Sequence, residues 1–262
     1  MTALVLSAGG MFGAWQAGVW EALERMFQPD LVVGASIGSL NGWAIAAGVR
    51  GAELGRLWRE PTVPFELRWR PPWRVRQGLA DPAVLEPAAE ELCARYRPRA
   101  RYALVLAEMP GFRRRIVTPD DGITPDHLVA ACSMPVIFPP RRLPDGSRCV
   151  DGGIFGALPL WAAAELGADR VVAIGVMTDL PPLYRTLMRG VRRLVGAPRR
   201  LPSARLPIVV IQPARRLGRL GDALKWKPEN IERWLAGGRR AGEEAAPRVA
   251  RFLSSEAETS IR

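Results

Sequence analysis

The stretch Leu31-Val32-Val33-Gly34-Ala35-Ser36-Ile37-Gly38-Ser39-Leu40 decides how this 262-residue chain folds and where its chemistry lies. It begins as an apolar, strand-like run, breaks at the motif G-x-S-x-G and continues as a helix. A strand-to-helix turn this sharp needs Gly34 and Gly38, because larger side chains would collide. The turn presents Ser36 clear of its neighbours, as a serine nucleophile requires. These five residues alone leave a purely structural turn open as the alternative.

The chain before this stretch has the pattern of a β-α-β unit. Ala3–Ser7 is a short apolar run typical of a buried strand, and apolar residues recur at helical spacing from Ala14 to Phe27. The order strand, glycine loop, helix, strand and serine turn therefore predicts an α/β fold in which the first two strands are parallel.

The glycine loop that begins at Ala8 has two competing interpretations. A dinucleotide-binding loop needs G-x-G-x-x-G and an acidic residue at the end of the second strand, but Ala8 stands at the first glycine position and the second strand runs into Ser36. An oxyanion hole needs only unhindered backbone N–H groups next to a helix N-terminus, which Gly9, Gly10 and Met11 would supply. We favour the oxyanion hole, and nucleotide binding stays open as an alternative.

The base that would activate Ser36 is predicted to be a carboxylate. His127 is the only histidine, and the pair Thr124-Pro125 places it in the first turn of a predicted helix, where a partly exposed structural role is expected. Asp151 follows a predicted strand and precedes two glycines that allow a close approach to another loop. Most Asp-Gly pairs are only turns, so the assignment of Asp151 depends on the serine turn.

Composition limits the protein to one large α/β domain or two small ones. Apolar residues make up 48% of the chain and mean hydropathy is near zero, which predicts a substantial core. We expect a single domain over residues 1–253 and a flexible tail over residues 254–262. No run approaches the ~20 apolar residues of a membrane-spanning helix, and the first twenty residues lack the pattern of a signal peptide.

Charge and cysteine content limit the partners and cofactors. The net charge is +11, and arginine supplies nearly all of the basic residues, which favours an anionic surface such as a membrane. Nucleic acid is disfavoured because zinc-finger spacing and RNA-binding aromatic signatures are absent from the sequence. Cys93, Cys132 and Cys149 have no paired spacing, which indicates a reducing, cytoplasmic compartment and no metal site. The sequence leaves the oligomeric state unknown.

Two arginine-rich segments are candidates for membrane contact. The block Arg59–Gln77 combines prolines and arginines with Trp69 and Trp73, and is either a solvated loop or an interfacial element. The segment Leu183–Leu194 has one apolar face, with arginines elsewhere around a possible helix. It either packs on its own domain or lies on an anionic membrane. In the membrane-bound cases the protein would be cytoplasmic and peripheral at the membrane.

Four segments in this order resemble the patatin-like phospholipase family. They are Leu4–Gly18, Gly34–Gly38, the apolar loop Ser133–Pro140 and Asp151–Gly153. The resemblance covers essentially the whole chain. It implies a three-layer α/β/α patatin-like fold with a mostly parallel central sheet.

The resemblance also implies a lipid acyl hydrolase that needs no metal or cofactor. Ser36 would be the nucleophile and Asp151 the base of a Ser-Asp dyad that cleaves fatty acyl esters of lipids. Gly9, Gly10 and Met11 would form the oxyanion hole. The glycines that match the family's motifs are Gly13, Gly34, Gly38, Gly152 and Gly153.

Some residues depart from the family's pattern. In the glycine loop, Ala8 replaces the first glycine and Phe12 replaces a basic residue, and Ala157 replaces an asparagine shortly after the Asp-Gly-Gly. None of these positions belongs to the dyad. The alternative function is therefore a catalytically silent lipid- or membrane-binding relative of the same fold.

Overall fold

The chain folds around a mixed, mostly parallel β-sheet. The computed structural model describes residues 1–71, 73, 78–176, 190 and 206–255. The strands within these ranges are β1 Thr2–Leu6, β2 Leu31–Gly34, β3 Arg101–Met109, β4 Arg113–Val117, β5 Arg141–Arg142, β6 Arg148–Asp151, β7 Arg170–Ile174 and β8 Ile208–Ile211. Hydrogen-bonded pairs link the strands in the series β5-β6-β3-β2-β1-β7-β8, and β3 also pairs with β4.

The middle of the sheet is parallel and one side of it is antiparallel. Strands β3, β2, β1, β7 and β8 run parallel to their neighbours in that order. Strands β4 and β6 pair antiparallel with β3, and β5 pairs antiparallel with β6. The predicted parallel pairing of the first two strands is confirmed, since Leu4 lies beside Val32 in the register of β1 and β2.

Apolar layers cover both faces of the sheet. Along β1, Leu4 and Leu6 belong to one apolar cluster and Ala3 and Val5 to the other, because alternate side chains of a strand point to opposite faces. The predicted three-layer α/β/α arrangement is therefore confirmed. The α-helices in the described ranges are α1 Gly13–Leu23, α2 Ile37–Ala46, α3 Gly51–Arg59, α4 Glu86–Arg95, α5 Pro125–Cys132, α6 Leu160–Glu165 and α7 Pro228–Ser254.

Helix α7 runs unbroken through Gly237-Gly238, although two adjacent glycines favour an interruption of a helix. A Cβ on Gly238 would lie 2.0 Å from the carbonyl oxygen of Trp15, and a Cβ on Gly18 would lie 2.1 Å from that of Leu235. The glycines let α1 and α7 pack with their backbones in contact. This packing outweighs the low helix propensity of glycine.

Two further predictions concern residues that lie largely outside the described ranges. Helix α7 ends at Ser254, the first residue of the predicted tail, and residues 256–262 lie outside the described ranges. The segment Leu183–Leu194 also lies outside them, apart from residue 190. Within the described ranges no helix is long and apolar enough to cross a membrane.

Candidate active site

Ser36 occupies a sharp turn between β2 and α2. Its backbone has φ 53° and ψ −129°, a conformation that a residue with a side chain adopts only under strain. The turn has no room for neighbouring side chains, since a Cβ on Gly34 would lie 2.3 Å from the carbonyl oxygen of Gly38. A Cβ on Gly38 would lie 2.5 Å from the carbonyl oxygen of Leu6. The positive end of the α2 dipole points at this turn.

Ser36 and Asp151 come together because two strands end at the same edge of β3. Strand β2 runs parallel to β3 and ends with Gly34 opposite Leu104, whereas β6 runs antiparallel and ends with Asp151 opposite Leu106. Strand β4 pairs with residues 104–108 of β3, which overlap both the residues that pair with β2 and those that pair with β6. Because one edge of a strand cannot pair with two strands at the same residues, β4 lies on the opposite edge of β3 from β2 and β6. The ends of β2 and β6 therefore meet head to head, two residues apart along β3.

The carboxyl group of Asp151 is buried but remains ionisable. The residue is 6% exposed, and burial raises the pKa of the carboxyl to about 6. The backbone N–H of Gly153, which donates to Oδ1 at 2.7 Å, and the hydroxyl of Ser36 act in the opposite direction and lower this pKa. A pKa of about 6 suits a general base, because the carboxylate predominates at neutral pH and can still accept a proton.

Backbone contacts hold Asp151 in place. Its N–H donates to the carbonyl oxygen of Ser133 at 3.0 Å, which ties the end of β6 to the apolar loop that begins there. The next residue, Gly152, lies so close to β3 that a Cβ on it would be 2.5 Å from the carbonyl group of Val105. The carboxyl group is thus positioned by the sheet itself.

The glycine loop connects β1 to α1. Residues Gly10–Phe12 form a 3-10 turn, and Gly10 has φ 56°. A Cβ on Gly10 would lie 2.3 Å from the carbonyl oxygen of Ala223, so both the backbone conformation and the space require glycine. Among the described residues, no acceptor is hydrogen-bonded to the N–H groups of Gly9, Gly10 or Met11. These donors are therefore available to a ligand.

The residues that depart from the family's pattern make contacts of their own. Phe12 is buried against Trp234, and the two ring centroids are 5.0 Å apart. The carbonyl oxygen of Ala157 accepts the backbone N–H of Ala8 at 2.8 Å. The side of the glycine loop where a basic residue is usual thus carries an aromatic ring packed on α7.

A cavity of about 390 Å³ joins the candidate residues. Ser36, Asp151 and the loop residues Gly9, Gly10 and Met11 all line it. Most of the remaining lining is apolar, and its larger side chains include Leu40, Leu54, Leu57, Trp58, Phe65, Leu92, Leu128, Ile137, Phe138, Leu224 and Trp226. A largely apolar cavity with a few polar groups at one place is typical of a site for an apolar ligand that reacts at one polar atom.

A buried polar network next to the cavity is a feature that the sequence analysis missed. The amide nitrogen of Asn41 donates to Gln16 Oε1 at 3.0 Å and to the carbonyl oxygen of Gly13 at 2.9 Å. Trp58 Nε1 donates to Asn41 Oδ1 at 3.0 Å, and Gln16 Nε2 donates to the carbonyl oxygen of Ser7 at 2.8 Å. The network joins α1, α2 and α3 to the end of β1. Its sequence signal is weak, namely two amide side chains within otherwise apolar helices.

Cys132 is a second residue whose position the sequence did not indicate. It ends α5 and lines the cavity. Burial, and after it the negative charge of Asp151, raise the pKa of its thiol well above the ordinary value, while the hydroxyl of Ser36 lowers it. The thiol is therefore protonated at neutral pH and is a poor nucleophile.

His127 is structural, as predicted, but it is buried rather than partly exposed. The residue is 3% exposed, and its Nδ1 accepts the backbone N–H of Thr124 at 3.1 Å. Burial, and after it the nearby Arg115, lower the pKa of the imidazole. His127 is not among the cavity-lining residues. Within the described ranges, no group of three or more histidine, cysteine or acidic side chains could hold a metal ion.

Comparison with known proteins identifies the family and shows a shared fold. The sequence model of the family described as patatin-like phospholipase matches residues 4–164. The fold is similar to that of VipD from Legionella pneumophila, with a TM-score of 0.52 and 14% identity over 94% of this chain and 67% of that chain. At such low identity the likeness shows a shared fold alone.

Two further solved structures give lower scores. The type III effector ExoU from Pseudomonas aeruginosa has a TM-score of 0.43 and 15% identity, over 96% of this chain and 53% of that chain. Human GIVD cytosolic phospholipase A2 has a TM-score of 0.43 and 11% identity, over 98% of this chain and 59% of that chain. The chain thus spans little more than half the length of these two proteins.

Proposed function

This chain belongs to the patatin-like phospholipase family, and from that premise we propose that it is a serine hydrolase that cleaves fatty acyl esters of lipids. One observation carries the proposal: Ser36, on its strained turn, and the ionisable, buried Asp151 open onto the same apolar cavity. Strain and a raised carboxyl pKa are both unfavourable for folding, and such features concentrate at active sites.

In the proposed mechanism the Asp151 carboxylate accepts the proton of the Ser36 hydroxyl while the Ser36 oxygen attacks the ester carbonyl carbon. The resulting oxyanion accepts hydrogen bonds from the N–H groups of Gly9, Gly10 and Met11, and the α2 dipole stabilises the same charge. The tetrahedral intermediate then expels the alcohol, which takes the proton from Asp151. This step leaves the acyl group on Ser36.

Water completes the reaction. The Asp151 carboxylate accepts a proton from a water molecule, and the resulting hydroxide oxygen attacks the acyl-enzyme carbonyl carbon. The second tetrahedral intermediate collapses, the Ser36 oxygen leaves and recovers the proton from Asp151, and the fatty acid is released. Serine and aspartate end the cycle as they began it, and the apolar walls limit the access of further water.

The lining of the cavity supports an acyl chain as the bound part of the substrate. Among the described lining residues, Glu91 is the only charged side chain besides Asp151. Glu91 accepts hydrogen bonds from Thr62 at 2.5 Å and from Arg95 at 2.6 Å. The described walls therefore offer an acyl chain apolar contact and offer a lipid phosphate no cation.

The test of this proposal needs no choice of lipid. Wild-type protein, Ser36→Ala and Asp151→Asn are exposed to a fluorophosphonate, which reacts with activated serines, and each intact mass is measured. We expect one adduct on Ser36 in the wild type, none in Ser36→Ala and a rate reduced by at least about 100-fold in Asp151→Asn.

Turnover of a short-chain p-nitrophenyl ester is measured on the same samples. A folded wild-type protein that neither forms the adduct nor turns over the ester would contradict the proposal. The silent lipid-binding alternative would then be preferred.

A further inference from the structure

Exposed apolar side chains concentrate around the mouth of the cavity. Among the described residues, six large apolar side chains are exposed. Val63 and Leu220 line the cavity, Val136 lies between two lining residues, and Trp69 and Trp73 follow the lining residues Val63 and Phe65 along the chain. We call these five residues the rim. The sixth, Met26, follows the end of α1 away from the cavity lining. Trp73 is 80% exposed and Trp69 64%.

The cavity opens between rim residues. Val63 and Leu220 both line the cavity and are half exposed, at 50% each. Pro135 and Ile137, the neighbours of Val136, also line it. The apolar interior of the cavity and the apolar rim thus form one continuous surface.

Main-chain contacts hold the rim segments together. Trp69 pairs with Ala80 in an antiparallel bridge, and the N–H of Ala80 donates to the carbonyl oxygen of Ile137 at 2.8 Å. On the other side of the mouth, the N–H of Trp226 donates to the carbonyl oxygen of Phe65 at 2.8 Å. The segments that carry Trp69 and Val136 are therefore tied to each other, and the segment that follows Leu220 is tied to the one that follows Val63.

Val136 is held in an unfavourable conformation at this mouth. Its φ is 74°, in the left-handed region, and its side chain is 55% exposed. A β-branched residue with positive φ is a genuine outlier, and glycine or asparagine would adopt this conformation at lower cost. Within the part of the chain that the structure describes, Val136 belongs to neither apolar cluster, and its backbone conformation disfavours valine. We take this as a sign of a contact outside the molecule.

The chemistry of the rim matches the boundary between lipid headgroups and acyl chains. Tryptophan is enriched at that boundary because its ring is apolar and its N–H is polar. Arg68 and Arg219 are exposed next to Trp69 and Leu220, where they can reach phosphate groups. A folded protein seated on the rim would close the mouth of the cavity, whereas a bilayer can pass a lipid molecule into it.

We propose that the rim is a docking surface for a phospholipid bilayer, with its five apolar side chains inserted at headgroup level and the cavity mouth facing the lipid. This proposal rests on the proposed function in one respect: the docked bilayer supplies the acyl ester. Binding itself requires neither Ser36 nor Asp151.

The experiment measures vesicle flotation and ester hydrolysis separately. Phosphatidylcholine vesicles, with and without phosphatidylglycerol, are mixed with wild-type protein, Trp69→Ser/Trp73→Ser, Val136→Gly and the matched control Met26→Ser. We expect the partition coefficient to fall by at least about tenfold in the tryptophan pair and by about threefold in Val136→Gly, because each removes apolar area from the interface. We expect Met26→Ser to bind like the wild type.

Val136→Gly shows whether vesicle binding can be lost without a loss of thermal stability. Glycine relieves the positive φ, so this variant is expected to keep the thermal stability of the wild type while it loses vesicle binding. Turnover of a soluble short-chain ester should stay within about twofold of the wild type in every rim variant, since none touches the reacting atoms.

The outcomes distinguish the two proposals. A wild-type protein that does not float with either vesicle, or rim variants that float like the wild type, would overturn the docking surface even if soluble ester is hydrolysed. Flotation that depends on the rim, without turnover of any ester, would support the docking surface and contradict only the proposed function.

Discussion

The floor of the cavity, which we define as the part lined by Ser36, Asp151 and the glycine loop, differs from the rim in how far internal packing dictates its residues. At the floor, a Cβ on Gly34 or on Gly10 would lie 2.3 Å from a carbonyl oxygen, and Asp151 is held by backbone groups on both sides. At the rim, Trp73 and Val136 are mostly exposed. Internal contacts therefore account for the positions of Ser36 and Asp151, whereas the proposed bilayer contact would account for the exposed rim.

The largest expected effect is a loss of activity on substitution of Asp151, at the floor of the cavity. Asp151→Asn should lower kcat/KM for a soluble ester by about 10³–10⁴-fold, because an amide cannot accept the serine proton. Steady-state kinetics on the short-chain ester measures this. A loss below about tenfold would mean that Asp151 is not the base.

The kcat/KM of the wild type is expected to increase with pH. In the proposed mechanism the Asp151 carboxylate is the base, so kcat/KM should rise about tenfold per pH unit below pH 6 and level off above about pH 6, where the raised pKa lies. A pH–rate profile on the same soluble ester measures it. A profile flat from pH 4 to pH 8 would contradict the assignment.

The same pKa shift has a consequence for stability. Because the native carboxyl has a pKa of about 6 against an ordinary 3.8, the native state binds its proton more tightly than the unfolded chain does. This contribution to stability is present at low pH and is lost as pH rises towards 6. At pH 8 Asp151→Asn should therefore be more stable than the wild type by about 1–3 kcal/mol. Denaturant melts at pH 4 and pH 8 provide the measurement, and equal differences at both pH values would contradict this account.

The close packing of α1 against α7 can be tested with two adjacent glycines of α7. Gly238→Ala would place a Cβ 2.0 Å from the carbonyl oxygen of Trp15, and should destabilise the protein by about 3 kcal/mol or more. Gly237→Ala meets only side-chain atoms at 3.7 Å or beyond, so it should stabilise the helix by about 0.5–1 kcal/mol. Urea denaturation of both variants checks the pair, and equal effects would show that the α1–α7 contact is looser than described.

A smaller effect is expected from the buried polar network. Asn41→Leu removes the partners of Gln16 Oε1 and Trp58 Nε1, and should cost about 2 kcal/mol because buried polar groups are left unpaired. Gln16→Leu is the matched variant, and the double variant should lose less than the sum of the two. Additive losses in urea melts would mean that the two amides act independently.

The sequence predicted the fold and the candidate site unequally. The parallel start of the sheet and the approach of Gly34 to Gly38 follow from local patterns, because strands and tight turns depend on neighbouring residues. The continuity of α7 does not follow from such patterns. Gly238 disfavours a helix locally but is required by α1, which is remote in sequence.

From the sequence alone come the class of fold, the serine turn and, because His127 is the only histidine, the prediction that the base is a carboxylate. These depend on residue type and short spacing, which local sterics and hydrogen bonding make decisive. It took the tertiary contacts to show that β2 and β6 end at one edge of β3, that Asn41 and Cys132 line the cavity, and that the exposed Val63 and Leu220 line it as well. Each of these depends on strand register and on contacts between distant segments, which no local pattern encodes.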